Sequence, residues 1–529
     1  MILRGGVVVD GTGGAGYPGD VVVERGRISA VAAPGRASGA AGPVVDVSGL
    51  VVAPGFVDMH SHSDLAVLAD PVHEAKVLQG VTLEVLGQDG LSYAPVDDAT
   101  LDQLRAQLAG WNGEPAGLDW SWRSVGEYLA RIDRGAAVNA AYLVPHGTVR
   151  LAVLGQENRP PTAAELQRMA ELVEAGLREG AVGLSAGLTY TPGMYADDDE
   201  LVTLCKVVAA AGGYYCPHHR NYGATVIEAY ADCVTIAEAS GVALHLAHCH
   251  VNFPQNRGRA GEVLALLDTA RARGVDVSLD SYPYLASSTY LHASLPGWAH
   301  EGGPDATLAR LRDPAQRARI LDELEVHGSD GHHGVPVDWA TVVITGVREP
   351  AHERYVGLSV AAAAGAVPPG EFYLDLLFAD RLGSSCRIEV GNEENVRTVM
   401  TSDCHTVGSD GLLTGSRPHP RAWGTFPRYL AHYVRELGVL TLEQCVARMT
   451  SRPARRLGLA DRGVVAPGYR ADLVCFDPEA VRDNATYDEP RRGPSGIPHV
   501  LIGGEFTVRD STRTDRIPGR TIRGPAWTG

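Results

Sequence analysis

Lysine is almost missing from this chain: Lys76 and Lys206 are the only two in 529 residues, so nearly every basic residue is arginine. Basic clusters are missing as well. The formal charge is −17, from 63 acidic against 46 basic residues, and no run of arginine offsets it, which argues against a nucleic-acid partner. Cysteine occurs eight times without a C-x-x-C pair, which excludes a disulfide-dense scaffold and a zinc ribbon and leaves reduced thiols. No apolar run reaches the ~18 residues of a membrane span, and MILRGGVVVDGTG enters strand-like sequence without a signal-peptide core. A cytoplasmic protein with no membrane partner is expected. What is present is ordinary for a folded protein, 45% apolar and 21% charged residues, in a chain long enough for a large barrel plus an accessory domain.

Residues 2–53 read as short strands broken by Gly-rich turns, and the same texture returns in GVVAPGYRADLVCFDP and HVLIGGEFTVRD, so the two chain ends are expected to pair. Between them, eight short apolar runs alternate with helical stretches: GFVDMH (55–60), VTLEVLG (81–87), AAYLVPH (140–146), AVGLSAGL (181–188), GGYYCPH (212–218), VALHLAH (242–248), VDVSLDSY (275–282) and HTVGSDG (405–411). Eight parallel strands with intervening helices make a (β/α)8 TIM barrel. The connection 285–400 is too long for a loop and predicts an inserted, lid-like subdomain. The division expected is therefore a small β-domain from 1–53 and 459–529, a catalytic barrel from 54–284 and 401–458, and the insert at 285–400.

In such barrels the functional residues lie at the C-terminal strand ends, and there this chain concentrates its polar side chains. The first strand ends in His60 and His62, which point the same way at i and i+2, about 6 to 7 Å apart. The second ends in GQDG with Asp89, the fifth in His218, the sixth in His248, the seventh in Tyr282 and the eighth in Asp410. Each alone reads as a solvated strand end. Together, four imidazoles and two carboxylates at one mouth suit a divalent metal site, zinc above all, with room for a second ion. Two-metal hydrolytic sites hold their ions about 3.5 to 4 Å apart through a bridging ligand, and Asp89 is placed to bridge.

GFVDMHSHSD, GVTLEVLGQDGLSYAP, SAGLTYTPG, HHRNYG, LAHCH, DSYPYLASST, VGSDG, HPRAWGTFPR and GVVAPGYRADLVCFD, in that order over nearly the whole chain, resemble the amidohydrolase superfamily and within it the N-acyl-D-amino-acid deacylases, or D-aminoacylases. The resemblance implies a barrel flanked by a small β-domain, and hydrolysis of N-acyl-D-amino acids, small-molecule substrates, by metal-activated hydroxide. It implies His218 and His248 as tight metal ligands, His60 and His62 as a looser pair, Asp410 as acid/base, and Tyr190, Tyr282, Ser288 and Arg421 at the substrate, with Tyr282 a donor to the oxyanion. Two positions depart from the family pattern. Asp89 stands where a cysteine ligand is usual, a harder donor that also suits manganese, cobalt or iron. His250 stands where a lysine usually meets the substrate carboxylate, so Arg220 or Arg421 is expected to take that role.

Three other readings compete. Many superfamily members bridge their metals with a carboxylated lysine at the end of the fourth strand, but AVGLSAGLTYTPG has none, which argues against a dihydropyrimidinase-type hydrolase of cyclic amides. An intact VGSDG argues against a non-catalytic metal-binding relative. No G-x-S-x-G elbow stands in a strand-to-helix setting, and Ser185 is expected to pack or touch substrate.

Overall fold

The computed structural model describes residues 1–37 and 42–529. Its centre is a parallel sheet of eight strands: β1 Phe56–Asp58, β2 Val81–Leu86, β3 Asn139–Pro145, β4 Gly183–Gly187, β5 Tyr214–His218, β6 Ala243–Leu246, β7 Val277–Ser281 and β8 His405–Val407. Neighbours pair in sequence order, as right-handed βαβ crossovers dictate. Between β8 and β1 closure continues past the strands, with the Met59 amide donating to the Val407 carbonyl and Ser61 bridging Gly411. All eight expected strands are present.

The strands are buried along their length because one face fills the barrel and the other carries helices. Val57, Met59, Leu83, Val85, Leu143 and Cys216 belong to one buried cluster. A larger cluster, including Leu86, Val144, Leu184 and Leu244, joins the other face to helices such as Ala163–Arg178. That helix is opened by a capping box in which the Thr162 side chain accepts from the Glu165 amide.

Strands from both chain ends share one nine-stranded sheet, in which Val51–Pro54 pairs antiparallel with Leu473–Phe476. The last segment leaves that sheet and runs along the N-terminal ends of β3 and β4. The Ala140 amide donates to Arg520, Ile522 donates to Ala140, and Gly524 donates to Gly180. Within 285–400, strands Ala286–Tyr290, Val342–Gly346 and Ser385–Glu389 form a separate antiparallel sheet over their own apolar cluster.

Candidate metal centre and active site

The turn Gly87-Gln88-Asp89-Gly90 after β2 carries the central carboxylate. Gly87 and Gly90 adopt φ of +73° and +68°, and a Cβ would meet the Leu143 carbonyl oxygen at 2.3 Å or the Gly187 nitrogen at 2.5 Å, so neither position admits a side chain. Ser185 holds this turn, donating to the Gly87 carbonyl and accepting from the Gly90 amide at 3.0 Å. It lies inside β4 and serves as a brace.

Asp89 itself has φ +53°, and His248 and Asp410 also sit at positive φ, +26° and +49°. Such residues store about 1 to 3 kcal/mol of strain each, tolerated where function requires the direction of the side chain. Here all three point into one cluster. Asp89 lies 3.4 Å from His60 Nε2, 3.5 Å from His62 Nε2, 3.5 Å from His218 Nδ1 and 3.4 Å from His248 Nε2. Asp410 Oδ1 lies 3.1 Å from His62 Nε2.

These side chains fall into two sets, His60–His62–Asp89–Asp410 and Asp89–His218–His248, in each of which the donor atoms all lie within 4.8 Å of one another. Asp89 belongs to both, as a bridging ligand must. The fit to metal is also chemical. Both ring nitrogens of His60 and Oδ1 of Asp89 are buried without a hydrogen-bond partner, a costly arrangement unless a cation fills it. Burial pushes the His218 ring down to about 4 in spite of Asp89, leaving a neutral, ligand-competent imidazole at neutral pH. Burial opposes ionisation of Asp89 too, but His248, His60 and His218 outweigh it and hold the carboxyl well below its usual range. At His60 burial is likewise overcome, by Asp89 and Asp280, and the ring is raised well above the usual histidine value. The cluster attracts positive charge, for which proton and metal compete.

Supporting contacts fix the ligands from behind. Thr189 Oγ1 meets His218 Nε2 at 2.7 Å, and the Tyr222 hydroxyl meets His248 Nδ1 at 3.0 Å. Asp280, fully buried in β7, lies 3.6 Å from His60 Nδ1 and accepts from the His248 amide at 3.0 Å. Lys76 is buried outside the barrel wall, donating to Asp58 at 2.6 Å and to Ser409 Oγ at 2.9 Å, while Asp58 accepts from the Ser409 amide at 2.7 Å. The residue before Asp410 is thereby anchored.

A family model described as the amidohydrolase family matches residues 43–508. The chain belongs to this family. The N-acyl-D-glutamate deacylase of Alcaligenes xylosoxydans xylosoxydans is 35% identical over 99% of this chain and 97% of its own, and the D-aminoacylase of the same organism is 34% identical over the same shares. Among solved structures, an N-acyl-D-glutamate deacylase from Bordetella bronchiseptica, complexed with zinc and a phosphonate that mimics the tetrahedral intermediate, superposes with a TM-score of 0.83 at 35% identity, covering 99% of both chains. A dihydropyrimidinase from Brevibacillus agri, with a TM-score of 0.58 at 15% identity, shares the fold alone.

The chain has a pocket opening onto the cluster, and most of the expected substrate residues line it. Tyr190 lies tilted against His218 with ring centroids 4.8 Å apart, His250 stacks on Tyr282 at 4.1 Å, and Ser288 enters from the insert. Arg421 is fully buried, with Nη1 2.8 Å from Asp410 Oδ2, its guanidinium 4.5 Å from the Tyr282 ring, and Nη2 donating to the Ser288 carbonyl. Arg220 is not brought in. Its guanidinium points away to the Ala196 carbonyl and the Asp198 carboxylate, so it does not line the pocket.

Sequence reasoning missed Asp280, Thr189 and Tyr222. The signal for Asp280 was an acidic residue in the otherwise apolar and small VSLDS; for Thr189 it was only adjacency to Tyr190, and for Tyr222 only closeness to His218.

Proposed function

We propose that the chain deacylates N-acyl-D-amino acids, adding water across the amide to release a carboxylate and a D-amino acid. Zinc held by His60, His62, Asp89, His218 and His248 supplies Lewis-acid polarisation of the carbonyl and an acidified water. The carboxylate of Asp410 opens onto that space. Burial raises it, but Arg421 and His60 dominate and keep it ionised. It accepts the proton of the attacking water and returns it to the leaving nitrogen, a contribution of order 10² to 10⁴. Tyr282 at the pocket wall offers a donor to the developing oxyanion. Arg421 Nε, buried and without a hydrogen-bond partner, suits the substrate carboxylate.

The observation that carries this reading is Asp89, shared by two donor sets, one of which also contains Asp410. The chain's own amidohydrolase relatives named as D-amino-acid deacylases carry the stereochemistry. The test is kcat/KM for paired N-acetyl-D- and N-acetyl-L-amino acids on the zinc-loaded enzyme. At least ~100-fold preference for D is expected, and an L preference removes the D assignment.

A further inference from the structure

The relatives named for their substrates include deacylases of N-acyl-D-glutamate and N-acyl-D-aspartate as well as a D-aminoacylase, at 33 to 35% identity, so similarity does not choose among side chains. The pocket wall does. Resting on the deacylase reading above, we infer that this enzyme acts on N-acyl-D-amino acids whose side chain is uncharged.

The argument is one of charge balance in a buried space. Among the described residues, no lysine or arginine lines the pocket, and two carboxylates, Asp89 and Asp410, do. Beyond the metal ligands and the tyrosines and histidines beside them, the wall includes Phe253, Ala293, Ile388 and Val390, with Asn252, Ser287, Ser288, Thr289 and Ser294. Among the described residues the guanidinium just behind this wall is Arg421; its Nη1 is already against Asp410 and its Nη2 donates to the Ser288 carbonyl, so Nε is left for a single substrate carboxylate.

D-glutamate or D-aspartate would bring a second carboxylate. Among the described residues, the nearby guanidinium groups are engaged elsewhere. Arg220 is bound to Asp198, and Arg387 is bound to Glu389 and lies over the Tyr487 ring, 4.4 Å from its centroid. His333, carried over the pocket by the insert in a left-handed conformation (φ +59°), presents a buried Nδ1 without a partner. Burial holds its ring well below the usual histidine range, so it is a neutral hydrogen-bonding group. An apolar wall edged by neutral donors and acceptors receives an aliphatic, thioether or carboxamide side chain and leaves a carboxylate unpaired, which in a desolvated site is strongly unfavourable.

The deciding measurement uses an isosteric pair, N-acetyl-D-glutamine and N-acetyl-D-glutamate, on the full-length zinc-loaded enzyme, with N-acetyl-D-leucine as reference. We expect kcat/KM to favour the glutamine derivative by about 100-fold, the scale of an unpaired buried charge. A ratio below ten, or a preference for glutamate, overturns the inference while leaving the deacylase reading standing; failure to hydrolyse any of the three overturns that reading, and the inference with it. Val390→Lys places an ammonium on the half-buried end of the wall and is expected to narrow the ratio at least tenfold. An unchanged ratio in a folded variant contradicts the location assigned to the side chain, and if the variant fails to fold the wild-type ratio still decides.

Discussion

Replacing Lys76 with methionine tests the buried charge network behind the active site. Its ammonium lies 2.6 Å from Asp58 Oδ2 and 3.8 Å from Glu84 Oε2, and all three side chains are completely buried. Methionine fills similar volume but leaves two carboxylates with less countercharge. Removing one partner from a buried pair costs about 3 to 5 kcal/mol, a large share of the ~5 to 15 kcal/mol that folds a typical domain. Urea unfolding should therefore show a midpoint lowered at nearly constant slope. The double variant Lys76→Met/Asp58→Asn, which removes both charges of the closest pair, should recover a substantial part. Because Asp58 also accepts from the Ser409 amide, the folded fraction of the single variant should lose kcat more than it raises KM. A loss below about 1 kcal/mol, with kcat unchanged, would refute the view that this ammonium holds the Asp410 turn.

Three more expectations concern the ligands and their supports. Asp280→Asn should weaken zinc binding about 10- to 100-fold by calorimetry, since it releases His60 and the His248 backbone from behind, and unchanged affinity would count against that role. Exhaustive chelation should abolish hydrolysis and lower thermal stability, both restored by zinc; full activity in protein shown to be metal-free would remove the metal from the account. Burial raises the Glu84 carboxyl, but His73, Lys76 and Ser61 overcome it and hold it at about 2, below the ordinary 4.5. Its stabilising contribution is therefore complete above the ordinary value and lost as pH falls from there toward 2, so the stability gap between wild type and Glu84→Gln should close across that window.

The barrel was legible because each strand is a short apolar run, most of them ending at or just before a polar residue, and the period of βα units is unbroken from GFVDMH to VALHLAH. The ligands were legible for the same reason. That Asp89 touches all four imidazoles was less so, because it depends on a left-handed turn braced by Ser185, across 98 residues of sequence from Gly87. Lys76 stood out only as one of two lysines, since nothing local reveals that Asp58 and Glu84 on neighbouring strands face it. Arg220 misled by adjacency: it follows His218 and His219 directly, yet the chain has already turned outward toward Asp198. The return of the last residues to β3 and β4 rests on backbone hydrogen bonds and on contacts such as Arg523 with Asp133, between residues too far apart in sequence to be paired by pattern.

The most direct measurement is turnover of an N-acetyl-D-amino acid by Asp410→Asn, with zinc content determined on the same sample. Asparagine keeps the shape of the side chain and removes its capacity to take a proton. We predict bound zinc close to wild type and kcat lower by about 10² to 10⁴. Wild-type turnover with zinc in place would contradict the assignment of Asp410 and the proton transfers built on it.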